Sequence, residues 1–230
     1  MIKTVFLDLD DTIFDFHACE KVAITKTLWG FGIDPDDEII DRYSVYNRLQ
    51  WEALERREIT RDEVLTRRFN LLFDSLGMEV DPWEVQSLYE RNLSMEHIFM
   101  EGAEELLCKL RAIGKYKLYA ATNGIERVQR RRIRDSRIDE FFDGFFISEC
   151  IGANKPAREF FEKCFDVIPG FSRDEAIIIG DSLTSDILGG KNAGIKTCLF
   201  NPKKKKISGE VTPDYEIESL SEIIPLIERL

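Results

Sequence analysis

The chain has 230 residues, of which 43% are hydrophobic and 33% are charged, as in a globular protein with a substantial core. Its 32 basic and 43 acidic residues give a formal net charge of −11, which argues against nucleic acid or an anionic membrane as a partner. No apolar run is long enough to cross a bilayer and no signal-peptide pattern precedes the first predicted strand, so we expect a cytoplasmic protein. Five dispersed cysteines without CxxC spacing are expected to be reduced thiols rather than a disulfide framework or a zinc site.

An apolar run that begins at Val5 predicts a buried strand, which ends abruptly at Asp8, Asp10 and Asp11. Because side chains alternate along a strand, Asp8 and Asp10 should point to one side if the extended backbone persists that far. The carboxylates would repel one another unless a cation lay among them, and Mg²⁺ takes oxygen ligands. The pattern predicts a metal site with one carboxylate free to react, and the alternative is an Asp-rich turn after a strand.

Residues 15–98 have the amphipathic spacing of successive helices and no convincing strand pattern. Helix starts are predicted at Asp34-Pro35 and Asp81-Pro82, where a capping side chain precedes a proline at the first helical position. A third start is predicted at Thr60, where Glu63 completes a capping box. We expect a small helical bundle over residues 15–98, inserted into a core made of residues 1–14 and 99–230.

From residue 102 onward, apolar strands alternate with helices. Strands are predicted at residues 116–122, 145–148, 176–180 and 195–200 and near Tyr215, and helices at residues 106–113, 125–134, 156–168, 185–193 and 221–230. Near-continuous apolar strands between helices are typical of a parallel sheet covered on both faces. We therefore predict an α/β protein with a Rossmann-like, three-layer parallel-sheet core and an inserted helical bundle. Ligands bind such sheets at the carboxyl ends of the strands.

The polar residues that follow the predicted strands should meet at this edge. They are four acids, a threonine and an asparagine, and a lysine: Asp8, Asp10, Asp181, Asp186, Thr122, Asn123 and Lys155. Such a set suits a phosphate group together with Mg²⁺.

Each of these residues also has a simpler interpretation. Thr122 could hydrogen-bond a phosphate together with the backbone N–H groups that follow it, or it could be a turn residue. Lys155 precedes a helix predicted to start at Pro156, so it opposes the helix dipole and needs a nearby anion, either phosphate or Asp8; the alternative is a solvated lysine. Asp181 could be a buried carboxylate that needs partners, or a cap for the next helix.

Four segments, in this order, resemble the motifs of the haloacid-dehalogenase-like (HAD) hydrolase superfamily: Asp8–Thr12, Thr122, Lys155-Pro156 and Gly180–Asp186. The inserted helices resemble the cap domain of the subfamily whose cap follows the first motif. The resemblance implies a phosphomonoester hydrolase in which Asp8 attacks phosphorus to form an aspartyl-phosphate and Asp10 is the general acid and base.

The same resemblance implies where Mg²⁺ and phosphate bind. Mg²⁺ would be held by Asp8, by Asp10 through its backbone carbonyl and by Asp181, with Asp186 bound to the ion directly or through water. Thr122, Asn123 and Lys155 would bind the transferring phosphoryl group.

A narrower resemblance is to the pyrimidine nucleotidase branch, whose substrates are nucleoside monophosphates. It rests on Asp8–Phe16, Thr122–Gly124, Arg134–Ser136, Gly180–Thr184, Asn201-Pro202 and residues 213–217. One departure lies at Arg57, where this branch leads us to expect glycine. The candidates for contact with the base are Phe16, His17, Tyr46 and Trp51, although aromatic residues at helical spacing are more often core.

Other functions share parts of this pattern. A phosphoglycolate or sugar-phosphate phosphatase or mutase would use the same core chemistry. A receiver-like phospho-acceptor switch also gathers acids, a threonine and a lysine, but the large insertion and Asp10 favour turnover. A haloacid dehalogenase would work without Mg²⁺, and the Asp181–Asp186 pair argues against it. The basic runs at residues 127–134 and 203–206 are predicted to be solvated faces.

Overall fold

The computed structural model describes residues 1–207 and 211–230. The chain forms two compact units, one made of Met1–Asp15 with Phe99–Leu230 and the other of Phe16–Ile98. The first boundary lies one residue later than the sequence predicted. Over the described ranges, none of the helices combines the length and the apolar character that crossing a bilayer requires.

The larger unit is built on a six-stranded, wholly parallel sheet in the order β3-β2-β1-β4-β5-β6. Its strands are β1 (Thr4–Leu7), β2 (Lys117–Thr122), β3 (Gly144–Ile147), β4 (Ala176–Gly180), β5 (Lys196–Phe200) and β6 (Tyr215–Ile217). The predicted α/β class and parallel sheet are confirmed. Strand β1 is central, because it pairs with both β2 and β4.

The smaller unit is a bundle of four helices: α1 (Phe16–Gly30), α2 (Asp37–Glu55), α3 (Arg61–Ser75) and α4 (Pro82–Leu93). The predicted starts at Thr60, with its capping box, and at Asp81-Pro82 are confirmed. The predicted start at Asp34-Pro35 is wrong, because Asp36 is the N-cap and accepts a hydrogen bond from the Ile39 backbone N–H at 2.9 Å. Two acids then occupy the first turn of α2, where the helix dipole favours negative charge.

A buried polar chain crosses this bundle. Arg68, which is 1% exposed, donates to the side-chain oxygens of Asn47 at 2.6 Å and Gln86 at 2.5 Å. Asn47 in turn donates to Glu20 at 2.6 Å, and the Arg68 guanidinium lies 5.0 Å from the ring centroid of Tyr89. These four side chains come from the four helices, so their hydrogen bonds join the whole bundle. They also give the buried charge of Arg68 the hydrogen-bond partners that it needs.

The remaining helices belong to the larger unit. They are α5 (Ala103–Ile113), α6 (Glu126–Asp135), α7 (Ser148–Ile151), α8 (Arg158–Asp166), α9 (Leu188–Ala193) and α10 (Ile223–Arg229). Helix α8 begins two residues later than predicted, with Ala157 rather than Lys155 at its N-cap. Ser148 starts α7 instead of ending β3. A π-helical turn over Leu183–Ile187 precedes α9. All five cysteines are free, as predicted.

Side chains of β1 alternate between two cores. Val5 and Leu7 pack with residues of α5 and α10 on one face of the sheet, and Phe6 packs with α8 on the other. Phe6 is fully buried, and its ring centroid lies 5.9–6.4 Å from those of Tyr119, Phe146, Phe161, Phe165 and Phe171. Helices therefore cover both faces, and the strand that leads to Asp8 is fixed from both sides.

The aromatic cluster around Phe6 gives a test of this packing. Replacing Phe6 with Ala should lower the free energy of unfolding by about 3–5 kcal/mol, because a buried ring is lost and a cavity remains. Val167→Ala is the control, since that side chain is 66% exposed and should cost less than about 0.5 kcal/mol. Urea denaturation followed by circular dichroism measures both, and equal costs would contradict the packing described.

Candidate active site

The carboxyl ends of β1, β2 and β4 form the candidate site. Asp8 directly follows β1, Thr122 is the last residue of β2, and Asp181 directly follows β4. In the register of the sheet, Leu7 pairs with Ala120 on one side and with Ile179 on the other. Asp8 therefore lies between the ends of its two neighbouring strands, as the sequence predicts for a parallel sheet.

Three carboxylates meet at this edge. Asp8, Asp181 and Asp186 each offer an oxygen atom, and the three atoms lie within 4.8 Å of one another. Asp186 reaches the group because the π-helical turn folds its side chain over Gly180; a Cβ on Gly180 would lie 2.2 Å from Asp186 Oδ2. The backbone N–H of Ser182 donates to the same oxygen at 3.2 Å.

Lys155 is buried among these carboxylates, with 1% of its surface exposed. Its Nζ donates to Asp8 Oδ1, to Asp186 Oδ1 and to the backbone carbonyl of Ala121, each at 2.6 Å. All three ammonium hydrogens thus have an acceptor, which is the condition for a tolerable buried cation. The alternative that Lys155 is a solvated surface lysine is wrong.

The side chain of Asn123 holds the backbone of Lys155 in place. Its Nδ2 donates to the Lys155 carbonyl at 2.9 Å, and its Oδ1 accepts from the Lys155 N–H at 2.9 Å. Its amide is also 3.3 Å from the Ser185 hydroxyl. The Asn123 side chain therefore fixes a neighbour, and a phosphate contact from this residue would come from its backbone N–H.

The electrostatics of the group follow from its burial. Burial raises the pKa of the Asp8 carboxyl well above its usual range, although the charge of Lys155 opposes the rise. The negative charges of Asp186 and Asp10 add to it. Burial, and then the charges of neighbouring carboxylates, also raise the pKa of Asp181 well above its usual range. For Lys155, burial lowers the pKa, but the charges of Asp186 and Asp8 more than offset this, and its pKa lies above the ordinary value.

This donor set fits a magnesium ion. Three carboxylates share the charge of one buried lysine, so the group carries an excess of negative charge. Mg²⁺ in proteins usually binds one or two carboxylates directly and completes its coordination with water and substrate phosphate. Asp8, Asp181 and Asp186 are the residues that could hold the ion.

Asp10 lies outside the three-carboxylate group. Its Oδ1 accepts from Arg132 Nη1 at 2.5 Å, and its Oδ2 accepts from Gln129 Nε2 at 2.6 Å. Gln129 Nε2 also donates to Thr122 Oγ1 at 3.0 Å, and the same hydroxyl accepts from the Gly124 N–H at 3.0 Å. The Asp10 side chain therefore has partners on helix α6, and a metal contact through its backbone carbonyl stays a prediction.

Gln129 and Arg132 were missed by the sequence reasoning. The prediction of a solvated face over residues 127–134 is wrong for Arg132, which has no exposed surface. The buried residues of α6 are Val128, Gln129, Arg132 and Ile133, which share one face at helical spacing. Reading the run by helical face instead of by charge would have found it. The other basic run, residues 203–206, is exposed as predicted.

The candidates for substrate specificity lie on the helical unit. Phe16, Tyr46 and Trp51 are half-buried, and His17 is exposed. The Arg61 guanidinium lies 5.6 Å from the ring centroid of Trp51. These four residues are thus not part of the buried aromatic core, and their contact with substrate stays a prediction.

Arg57 has the backbone conformation that favours glycine. Its φ is +60°, in the left-handed region, and it lies in the turn after α2, where its N–H donates to the Leu54 carbonyl at 2.9 Å. A side chain in this conformation costs about 1–2 kcal/mol. The glycine expected here would avoid this cost. Arg57 instead adds a charged side chain to the turn.

Comparison with known proteins assigns the family. The haloacid dehalogenase-like hydrolase family matches residues 2–194. The chain belongs to this family. The resemblance drawn from its four motifs is thereby confirmed, and the family is one of enzymes rather than of receiver-like switches.

Three members of the family are similar to this chain over nearly its whole length. The HAD-hydrolase YfnB of Bacillus subtilis is 38% identical over 225 residues, which are 98% of this chain and 95% of YfnB. The crystal structure of YfnB bound to magnesium matches with a TM-score of 0.93 and covers 98% of both chains. The pyrimidine 5'-nucleotidase PynA of Streptococcus pneumoniae is 37% identical over 227 residues, which are 99% of this chain and 95% of PynA. The pyrimidine 5'-nucleotidase YjjG of Escherichia coli is 26% identical over 223 residues, 97% of this chain and 96% of YjjG.

The buried lysine of this HAD-like site gives a second test. Lys155→Met should lower the free energy of unfolding by about 3–5 kcal/mol, because it leaves the Asp8 and Asp186 carboxylates without a cation. Lys163→Met is the control, since that lysine is 44% exposed in its ion pair with Glu159 and should cost less than about 1 kcal/mol. Denaturation in magnesium-free buffer measures both, and similar losses would show that Lys155 does not hold the edge together.

Proposed function

We propose that this hydrolase is a Mg²⁺-dependent phosphomonoesterase whose preferred substrates are pyrimidine nucleoside 5'-monophosphates. The observation that carries the reaction is the buried Asp8 between Lys155 and two further carboxylates at the carboxyl edge of a parallel sheet. The substrate class is supported by PynA, which is similar over nearly the whole of both chains.

Asp8 is the proposed nucleophile. Its Oδ1 accepts from Lys155, so Oδ2 would attack phosphorus. The new bond joins Asp8 to phosphorus as an aspartyl-phosphate, while the bond from phosphorus to the ester oxygen breaks. Asp10 would give the departing alkoxide a proton and then take one from the water that attacks the aspartyl-phosphate. Inorganic phosphate leaves and the Asp8 carboxylate is restored.

The charge of the phosphoryl group has several partners here. Lys155 and the Thr122 hydroxyl, with the backbone N–H of Asn123, would bind its oxygens as they gain charge. Mg²⁺, held by Asp8, Asp181 and Asp186, would offset the repulsion between the nucleophile and the phosphate. The pKa values of Asp8 and Asp181, raised by burial, support this placement, because a cation would stabilise both carboxylates.

A phosphate-release screen tests the function. With Mg²⁺ present, the protein should release phosphate faster from uridine and thymidine monophosphates than from purine monophosphates, sugar phosphates or phosphoglycolate. Asp8→Asn should abolish release, since an amide cannot act as the nucleophile, while its circular dichroism spectrum stays unchanged. Near-normal release by Asp8→Asn would end the mechanism. A preference for phosphoglycolate or a sugar phosphate would keep the mechanism and replace the substrate.

Replacing Asp181 with Asn should weaken Mg²⁺ binding and raise the stability of the metal-free protein. Asp181→Asn removes a proposed ligand, so the Mg²⁺ concentration for half-maximal activity should rise by about tenfold or more. Without Mg²⁺ the variant should melt at a higher temperature than the parent at neutral pH. The raised pKa of Asp181 means that folding disfavours its charged form, and the neutral amide removes that cost.

The control for this pair of effects is Asp139→Asn, which replaces an exposed acid. It should change neither the Mg²⁺ titration nor the melting temperature measured by calorimetry. An unchanged Mg²⁺ titration for Asp181→Asn would remove Asp181 from the metal site.

A further inference from the structure

We propose that Gln129 and Arg132 are positioning residues, which hold the Asp10 carboxylate where it exchanges protons with the leaving group and with water. The inference rests on the proposed function, because Asp10 is the proposed general acid and base. It gives a role to two side chains of helix α6 that the family motifs do not include.

The contacts are made one to each oxygen. Arg132 Nη1 lies 2.5 Å from Asp10 Oδ1, and Gln129 Nε2 lies 2.6 Å from Asp10 Oδ2. The two donors are three residues apart on α6, so they project from one face of the helix. A carboxylate held at both oxygens by donors on one rigid helix keeps a single orientation, which proton transfer requires.

The donors are themselves held. Arg132 Nη1 also donates to Gln129 Oε1 at 3.0 Å, and the Arg132 guanidinium lies 4.6 Å from the ring centroid of Phe14. Gln129 is 1% exposed and Arg132 is fully buried, whereas the Asp10 side chain keeps 26% of its surface. The Asp10 side chain is therefore partly accessible, while the two side chains that hold it are buried.

Gln129 also joins Asp10 to the proposed phosphate site. Its Nε2 donates to Thr122 Oγ1 at 3.0 Å as well as to Asp10. One amide group thus sets the distance between the general acid and a phosphate-binding hydroxyl. An arginine–aspartate pair that only anchored α6 would not need this second contact.

Gly124 supports the same assignment independently. A Cβ at this position would lie 2.3 Å from Gln129 Nε2 and 2.8 Å from Gln129 Cγ. Gly124 is not among the glycines with positive φ, so glycine is needed here for space and not for conformation. The Gln129 side chain runs directly over this residue, and Gly124→Ala would displace it without changing Gln129 itself.

The test compares two leaving groups. Uridine monophosphate, or whichever alkyl phosphate the protein hydrolyses best, releases an alkoxide that needs a proton, whereas p-nitrophenyl phosphate releases a phenolate that does not. The quantity measured is kcat/KM, which covers steps up to phosphoryl transfer to Asp8 and leaves out hydrolysis of the aspartyl-phosphate. Asp10→Asn provides the reference for loss of the general acid.

Gln129→Leu, Arg132→Met and Gly124→Ala should each lower kcat/KM on the alkyl phosphate by about 10²-fold, and on p-nitrophenyl phosphate by less than about tenfold. Arg132→Lys should recover part of the loss, because a lysine can still donate to one oxygen. Arg130→Met is the matched control on the exposed face of α6 and should change both values by less than about twofold. If Arg132→Met does not fold, the Gln129 and Gly124 variants decide.

Equal losses on the two substrates, or no loss on the alkyl phosphate, would overturn the inference. If Asp10→Asn shows the leaving-group difference and Gln129→Leu does not, the inference fails while the proposed function stands. If Asp8→Asn retains activity, the proposed function fails, and the inference fails with it.

Discussion

One buried ammonium group holds the carboxyl edge of the sheet together. Lys155 extends from the loop before α8 and contacts Asp8 directly after β1, Ala121 within β2 and Asp186 in the π-helical turn that follows β4. A cation in so dry a place is tolerated only when every hydrogen has a partner and the charges compensate. Every hydrogen of Lys155 has a partner, its charge is more than balanced by the carboxylates around it, and the Asn123 side chain fixes the backbone from which it extends. Lys155 thus links residues that the sheet brings to the same edge.

Two buried cations pair with three of the four acids of the site. Lys155 pairs with Asp8 and Asp186, while Arg132 pairs with Asp10. Two carboxylates only two residues apart in the chain thus have different environments. Such separation is how one site can give neighbouring carboxylates different tasks, a nucleophile on one side and a proton carrier on the other.

Much of this arrangement could be predicted from the sequence, because it depends on local rules. A parallel sheet brings strand ends together whatever the loops do, so Asp8, Thr122 and Asp181 could be placed before their contacts were known. Helix starts at Thr60 and Asp81 follow from side chains that cap their own helix.

The predictions that were wrong have two causes. One is competition between nearby residues of the same type, and the other is contact with residues that are distant in the chain. Asp36 displaced Asp34 as the cap of α2, since either acid could cap that helix. Arg132 was assigned to solvent because its neighbours in the run are charged, and its burial depends on Asp10, more than a hundred residues away in the chain. The proposed contact of half-buried aromatic side chains such as Trp51 with substrate stays a prediction, because no local rule places these side chains against a ligand.

Gly124 and Gly180 have a consequence for how this site can change over evolutionary time. Each lies just after or at the end of a strand, beneath a side chain that folds back from five or six residues later, Gln129 in one case and Asp186 in the other. A methyl group and the overlying side chain cannot occupy the same space, so the acceptable residues at the two positions of each pair depend on each other. Alanine at position 124 would displace the Gln129 side chain unless residue 129 had been shortened first, so the order of substitutions decides whether the contact with Asp10 is kept. Homologous chains should therefore gain or lose each glycine together with its partner.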